Sequence, residues 1–333
     1  MAGGPTTPAL VAAVSEAGGL GFLAAGYKAA DAVAAEIAAV RAVTTRPFGV
    51  NLFYPTRDDI NELALAAYAD SLHGEEERYG VRVGDHAWSD DDWDAKLDVV
   101  ARERPDVVSF TFGCPEREIV AWLRDRQVAV WATVTSPADA AIALAAGVDA
   151  LVLQGAEAGG HQGSFRQHDD EPVSILTLLQ LVAAMTDRPL IAAGGIATAA
   201  GIAAVLRAGA SAAQVGSALM LAREAGTSEP HRQALRGNAP TRLTRAFTGR
   251  RARGIVNRFM LEHDALAPAA YPEVHFLTAP LRAKARTLGD ADGINLWAGQ
   301  AYGLAVEAPA GEIVGRWHAE LVRLGCSRFA PRA

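Results

Sequence analysis

One stretch of ten residues concentrates unusual chemistry: Gln154-Gly155-Ala156-Glu157-Ala158-Gly159-Gly160-His161-Gln162-Gly163 holds four glycines and a histidine. An ordinary connector does not need so many glycines. They let backbone lie against a flat ligand and bring Gln154 and His161 up beside it. An imidazole in that position can donate a hydrogen bond, carry positive charge or take a proton near neutral pH. Glu157 is a candidate partner for His161, with a plain surface role as the alternative. The other seven histidines (His73, His86, His168, His231, His263, His275 and His318) take an ordinary structural reading.

Two more glycine-bearing segments, Ala192-Ala193-Gly194-Gly195-Ile196 and Gln214-Val215-Gly216-Ser217, have the makings of a phosphate cradle. Glycine allows backbone N–H groups to approach a phosphate, a following helix N-terminus adds a favourable dipole, and Ser217 offers a hydroxyl. The alternative is that these glycines only make tight turns. In Gly49-Val50-Asn51-Leu52, the Asn51 amide offers a donor and an acceptor to the edge of a heterocycle. No His, Cys and carboxylate residues stand at metal-ligand spacing, and no Gly-x-Ser-x-Gly nucleophile elbow occurs. The segment Gly19-Leu20-Gly21-Phe22-Leu23-Ala24 fits the loose dinucleotide pattern, but it follows a helix and enters a strand, the reverse of what that pattern requires.

The elements that must position these residues follow from short apolar or β-branched runs bounded by Gly, Pro or Asp. Strands are predicted at Leu20 to Ala24, Phe48 to Phe53, Asp106 to Phe112, Val128 to Thr133, Ala150 to Gln154, Leu190 to Ala193 and Ala213 to Gly216. Alanine-rich helical stretches lie between them, with Pro8, Pro115, Pro137 or Thr198 near a first turn. Strands without polar alternation, alternating with helices, indicate an α/β fold around a parallel sheet. The even recurrence of strands near 106, 128 and 150 favours a (β/α)₈ TIM barrel over an open sheet. Only Met1 to Thr7 precede the first helix, so the first strand is expected to be cut off or replaced by a few residues. Barrel sites lie at the C-terminal ends of the strands, and the loops of the seventh and eighth barrel positions commonly hold phosphate. Residues 1–225 are read as the barrel, and residues 226–333 as a small lid subdomain whose C-terminal helix packs on the barrel.

Composition narrows the function classes. Half of the 333 residues are hydrophobic, enough for a large core, and the net charge of −7 disfavours a nucleic-acid partner. Two cysteines, Cys114 and Cys326, make a poor disulfide framework and are read as reduced thiols. The N-terminal residues lack the pattern of a secretory leader, no apolar run reaches membrane-spanning length, and a cytoplasmic location is expected.

Met1-Ala2-Gly3-Gly4, Gly49 to Leu52, Gln154 to His161, Ala193 to Ile196 and Gln214 to Ser217, in this order and spacing, resemble the nitronate monooxygenases, formerly called 2-nitropropane dioxygenases. Thr244-Arg245-Ala246-Phe247-Thr248-Gly249-Arg250 and Asn295-Leu296-Trp297-Ala298-Gly299-Gln300 extend the resemblance over nearly the whole chain. It implies a barrel that binds FMN without a covalent link. Asn51, Gln154 and Gly159 would lie along the isoalloxazine and ribityl chain. Gly194, Gly195, Gln214, Val215, Gly216 and Ser217 would take the phosphate, and His161 would face the substrate as the catalytic residue. The implied reaction is oxidation of alkyl nitronates, notably propionate 3-nitronate, by O₂ to an aldehyde with nitrite and nitrate. A nitronate is already an anion, so His161 is expected to serve as a hydrogen-bond donor or cation, and as a base only for a neutral nitroalkane. One of Arg242, Arg245, Arg250, Arg251, Arg253 and Arg258 is expected to reach the mouth and bind a substrate carboxylate, against the alternative of a solvated surface. Tyr271, Trp297 and Tyr302 either wall the pocket or belong to the core. Competing readings are a flavin-dependent enoyl-acyl-carrier-protein reductase using NADH and an inactive flavin-barrel paralogue. A homodimer is left open.

Overall fold

The computed structural model describes residues 1–167 and 171–326, so His168 and the tail 327–333 lie outside the described residues. Among the described residues there are ten strands: β1 (Gly21–Ala24), β2 (Phe48–Phe53), β3 (Val107–Thr111), β4 (Ala129–Val134), β5 (Ala150–Gln154), β6 (Gly160–His161), β7 (Leu190–Ala193), β8 (Ala212–Gln214), β9 (Thr241–Thr244) and β10 (Ala252–Ile255). Seven of them form one parallel sheet in the order β1-β2-β3-β4-β5-β7-β8. These are the seven predicted strands, and their curled, helix-covered sheet is that of a (β/α)₈ barrel.

Helix starts follow local chemistry. Thr7, Ser136 and Thr198 accept hydrogen bonds from Leu10 N, Asp139 N and Gly201 N at the heads of helices Pro8–Glu16, Pro137–Ala146 and Ala199–Arg207. The period of the strands then sorts side chains to two faces. Val50, Leu52, Val108, Phe110, Leu151, Leu153 and Ala192 point outward into the aliphatic layer under the helices. The alternate residues Asn51, Ser109, Thr111, Thr133, Gln154 and Ala193 point inward, so the interior near the strand ends is small and polar.

No pairing joins β1 to β8, the two ends of the sheet. The turn Ala2–Pro5 lies beside this seam, tied to the segment after β8 by Gly226 N donating to Pro5 O (3.0 Å) and by Thr7 Oγ1 donating to Glu224 O (2.6 Å). Helix Ala310–Arg323 packs on helices Pro8–Glu16 and Ala199–Arg207 and roofs the seam from outside.

The lid contains structure that short-range pattern did not reveal. β6, β10 and β9 form a three-stranded antiparallel sheet in that order, with His161 opposite Ala252 and Gly160 opposite Arg253. The lid's apolar cluster draws Leu65, Tyr68, Leu72 and Tyr79 together with Phe247, Phe259, Leu277 and Leu281, so packing crosses the division drawn at residue 225. Among the described residues no helix is long and apolar enough to cross a membrane.

Candidate active site

A cavity of about 1010 Å³ opens at the C-terminal ends of the strands and continues down the seam between β1 and β8. It is lined by Asn51, Gln154, Gly159, His161, Gly194, Gly195, Gln214, Val215, Gly216 and Ser217, so every predicted site residue borders one space. That volume is at the upper end of the usual range for small-molecule sites, ~300–1,000 Å³.

His161 enters from β6, which the lid strand β10 holds in place. Its Nε2 lies 2.9 Å from Thr248 Oγ1, and its ring is boxed by Phe112, Tyr271 and Trp297 at centroid distances of 5.7, 5.6 and 5.6 Å. Burial, helped by the positive Arg250 and Arg282, pushes the His161 pKa down to about 3. Desolvation therefore favours the neutral imidazole at physiological pH and disfavours the cationic role. Thr248 controls its tautomer. With the threonine hydroxyl donated to Arg250 O (3.3 Å), Oγ1 accepts from Nε2–H and Nδ1 carries the lone pair. With the hydroxyl turned to the ring, Nδ1–H becomes a donor.

Gln154 does not project freely. Its Nε2 donates to His161 O (2.9 Å) and its Oε1 accepts from Gly163 N (2.7 Å), so the side chain fixes the histidine loop and keeps one N–H for the cavity. Asn51 spends its Nδ2 on Ser109 O, Ser109 Oγ and Thr111 Oγ1 at 3.2, 2.9 and 3.0 Å, leaving Oδ1 as the group it can offer. Glu157 does not pair with His161. It caps helix Ile175–Ala183 by accepting from Ile175 N at 3.3 and 3.1 Å.

The cradle segments meet through close backbone packing. A Cβ on Gly159 would stand 2.4 Å from Gly299 N, and Gly299 N donates to Ser217 Oγ (2.9 Å), leaving the serine hydroxyl proton to give. Gly194 and Gly195 have φ of +107° and +69°, which side chains rarely adopt, and a Cβ on Gly194 would touch Ala158 N at 3.0 Å. The next helix begins at Ala199 with Thr198 as its cap, and the turn at 194–197 between β7 and that helix borders the cavity. The residues fit a phosphorylated planar cofactor: an open glycine turn, a free serine hydroxyl and small polar groups on the facing strands.

The arginine expectation fails in its particulars. None of the six arginines between 242 and 258 lines the cavity. Arg250 is buried beneath it, its guanidinium 4.1 Å from the Phe112 ring centroid, donating to Gln162 O and Ser164 O. Arg253 donates to Ala156 O (2.9 Å), and Arg258 is ion-paired with Glu75 and Glu262. The cavity is bordered instead by Arg282 and Arg286, together with His275, Tyr27 and Asn295, which sequence reasoning passed over. His275 stacks on Tyr27 at 4.0 Å with ring planes 4° apart. Phe112 and Tyr27 carry φ of +78° and +65°, the kind of backbone strain that collects at functional sites. Trp297 and Tyr302 border the cavity, while Tyr271 packs behind it with its hydroxyl 3.1 Å from that of Tyr27. A detectable signal existed for part of this set, because His275, Arg282 and Arg286 recur at one helical face.

A sequence profile of the family described as nitronate monooxygenase matches residues 1–320. A nitronate monooxygenase of Pseudomonas aeruginosa is 40% identical over 323 residues, covering 93% of this chain and 92% of its own. Among solved structures, nitroalkane oxidase of Streptomyces ansochromogenes matches with a TM-score of 0.94 at 49% identity, over 98% of this chain and 95% of its own. FabK of Thermotoga maritima matches with a TM-score of 0.76 at 26% identity, over 98% and 92%.

Proposed function

Because the chain belongs to the nitronate monooxygenase family, we propose that it oxidises alkyl nitronates such as propionate 3-nitronate with O₂, giving an aldehyde with nitrite and nitrate. The observation that carries this reading is the positive charge on and just beneath the cavity wall. Two buried guanidiniums, Arg250 and Arg282, stand near a neutral His161, and among the described residues no carboxylate is within ion-pair distance of either. Such a site favours an anion, and a nitronate is one.

FMN is the proposed cofactor; Gly194, Gly195, Gln214, Val215, Gly216 and Ser217 would hold its phosphate, and Asn51, Gln154 and Gly159 would lie along its isoalloxazine and ribityl chain. When bound, it would supply the redox chemistry of the reaction. The protein's own residues do the rest. Phe112, Tyr271 and Trp297 exclude water around His161. For a nitronate, His161 donates from Nδ1–H when the Thr248 hydroxyl is turned toward its ring. For a neutral nitroalkane, the other tautomer offers the Nδ1 lone pair as a base. We place the reaction in the cytoplasm, where the free thiols Cys114 and Cys326 stay reduced.

The test is a flavin spectrum of the purified chain, followed by oxygen uptake with propionate 3-nitronate and, separately, NADH oxidation with an enoyl thioester. Oxygen uptake without NADH is expected. NADH-dependent reduction of the thioester would instead favour the enoyl reductase reading, which the likeness to FabK keeps in play. A colourless preparation that FMN cannot reconstitute would mark an inactive paralogue.

A further inference from the structure

Helix Glu273–Leu288 turns two faces to its surroundings. Val274, Leu277, Leu281 and Ala285 enter the lid core, whereas His275, Arg282 and Arg286 border the cavity. Spacings of seven and four residues put those three on one line along the helix. Arg286, at the solvent end of that line, is exposed, and Arg282 is only 7% exposed.

The partners of Arg282 are all neutral. Its Nε donates to Thr278 Oγ1 (3.0 Å), and its Nη2 to His275 O (2.7 Å) and toward His275 Nδ1 (3.3 Å). Nη1 has only Asn295 Oδ1, at 3.4 Å, the limit of a hydrogen bond. Among the described residues no carboxylate lies within ion-pair distance of this guanidinium. Burial lowers its pKa only to about 10, so it keeps its charge at neutral pH, while burial also holds His275 neutral at about 2. A desolvated cation with a loosely held N–H edge on a cavity wall is a place for an anion to bind.

We propose that Arg282, with Asn295 beside it and Arg286 at the rim, forms a carboxylate subsite that selects nitronates and nitroalkanes bearing a carboxylate on the far end of the carbon chain. Arg282 is thus a specificity-determining residue and takes no part in electron or proton transfer. The proposal rests on the nitronate reading given above. It assigns the carboxylate role to the helix at 273–288 and not to the arginine-rich strands at 241–258.

The experiment compares FMN-loaded native enzyme, Arg282→Met and Arg282→Lys on propionate 3-nitronate and on propyl-1-nitronate, which has the same carbon count without the carboxylate. The ratio of KM for the alkyl substrate to KM for the carboxylated one is expected to fall at least tenfold in Arg282→Met and to recover in part in Arg282→Lys. A ratio within twofold of native in Arg282→Met overturns the subsite. If Arg282→Met does not fold, the native enzyme decides: propionate should compete with propyl-1-nitronate while propionamide does not, and equal or absent competition by both overturns the proposal. Failure of the parent reading looks different, as no oxygen uptake with either nitronate. In that case a rise in Tm of the native protein with propionate but not propionamide supports the subsite, and no rise overturns it.

Discussion

Arg258 and Arg282 both belong to the lid and both are largely withdrawn from water, yet they are treated in opposite ways. Arg258 lies 2.5 and 2.8 Å from the two Glu75 oxygens and 2.5 Å from Glu262, with His263 joining at 3.5 Å from Glu75. The cluster Glu75, Glu262 and His263 has metal-like proximity, but a guanidinium already bridges its carboxylates. Arg282 has amide, hydroxyl and imidazole neighbours only. Their pKa values record the difference: the hydrogen bonds that Arg258 donates to Glu75 drive its pKa up, whereas burial draws that of Arg282 down to about 10. A buried charge given its own counter-ion fastens two parts of the chain. One left without a counter-ion is suited to a partner arriving from outside.

That contrast gives the Arg258 cluster a fastening role and leaves Arg282 for the substrate-selecting role proposed above, and substitutions can pull the two apart. The largest effect is expected at Glu75→Gln. Breaking a buried pair from one side costs about 3–5 kcal/mol, so the Tm should fall clearly while flavin content per folded protein holds. An unchanged Tm would contradict the fastening role. Next comes His161→Ala, for which turnover of the nitronate should drop about 10²-fold, the usual size of a lost proton-handling or donor group, with the Tm near native. Full activity in the variant would remove His161 from the chemistry.

Acid should separate the clusters in order. Burial depresses the pKa of His161, His231 and His275 to about 3, 4 and 2 from an ordinary 6.5. Below pH ~6.5 the unfolded chain takes up protons that the native chain refuses. Stability is therefore full above that pH and declines as pH falls from 6.5 toward 4, by up to about 4 kcal/mol per unit for three such groups. Burial alone would raise Glu75, but bonds from His263 and Arg258 overcome it and hold its carboxyl down to about 2. Its contribution is present above pH ~4.5 and is lost only between there and 2. Denaturant titrations across pH 8 to 3 should thus show the first loss above pH 4.5, and a flat profile down to 4.5 would be inconsistent with neutral buried histidines. The smallest effect is expected at Thr248→Val, about fivefold in turnover for one hydrogen bond of ~1 kcal/mol, with a displaced pH profile for nitroalkanes. Thr248→Ser should restore both, and failure to do so would make the effect one of packing.

The sheet was legible because each barrel strand is an apolar run whose burial is local in cause: Val107 to Thr111 and Ala150 to Gln154 could hardly be anything else between their flanking helices. The glycine loops were legible because Gly194 and Gly195 need a backbone that other residues resist. What stayed hidden depends on distance along the chain. β6 is two residues long and exists because β10, some ninety positions on, pairs with it. Local density of arginine misled for the same reason, since Arg258 finds Glu75 across 183 residues, and the guanidinium at the cavity wall comes from a helix with less conspicuous composition. Phe112 carries a positive φ that nothing in its residue type announces.

The seam between β1 and β8 has a consequence for how the molecule holds together. β8 is short, two of its three residues are exposed, and it runs directly into the Gln214 to Ser217 turn. A ligand bound at that turn would also brace one free edge of the sheet and so link occupancy to closure. A ligand at a hundred times its dissociation constant adds about 2.7 kcal/mol to such a structure. For a barrel with one open stave, that is the work of a hoop: the cofactor would be a mechanical part as well as a reagent, and a preparation that sheds it would loosen first along the seam.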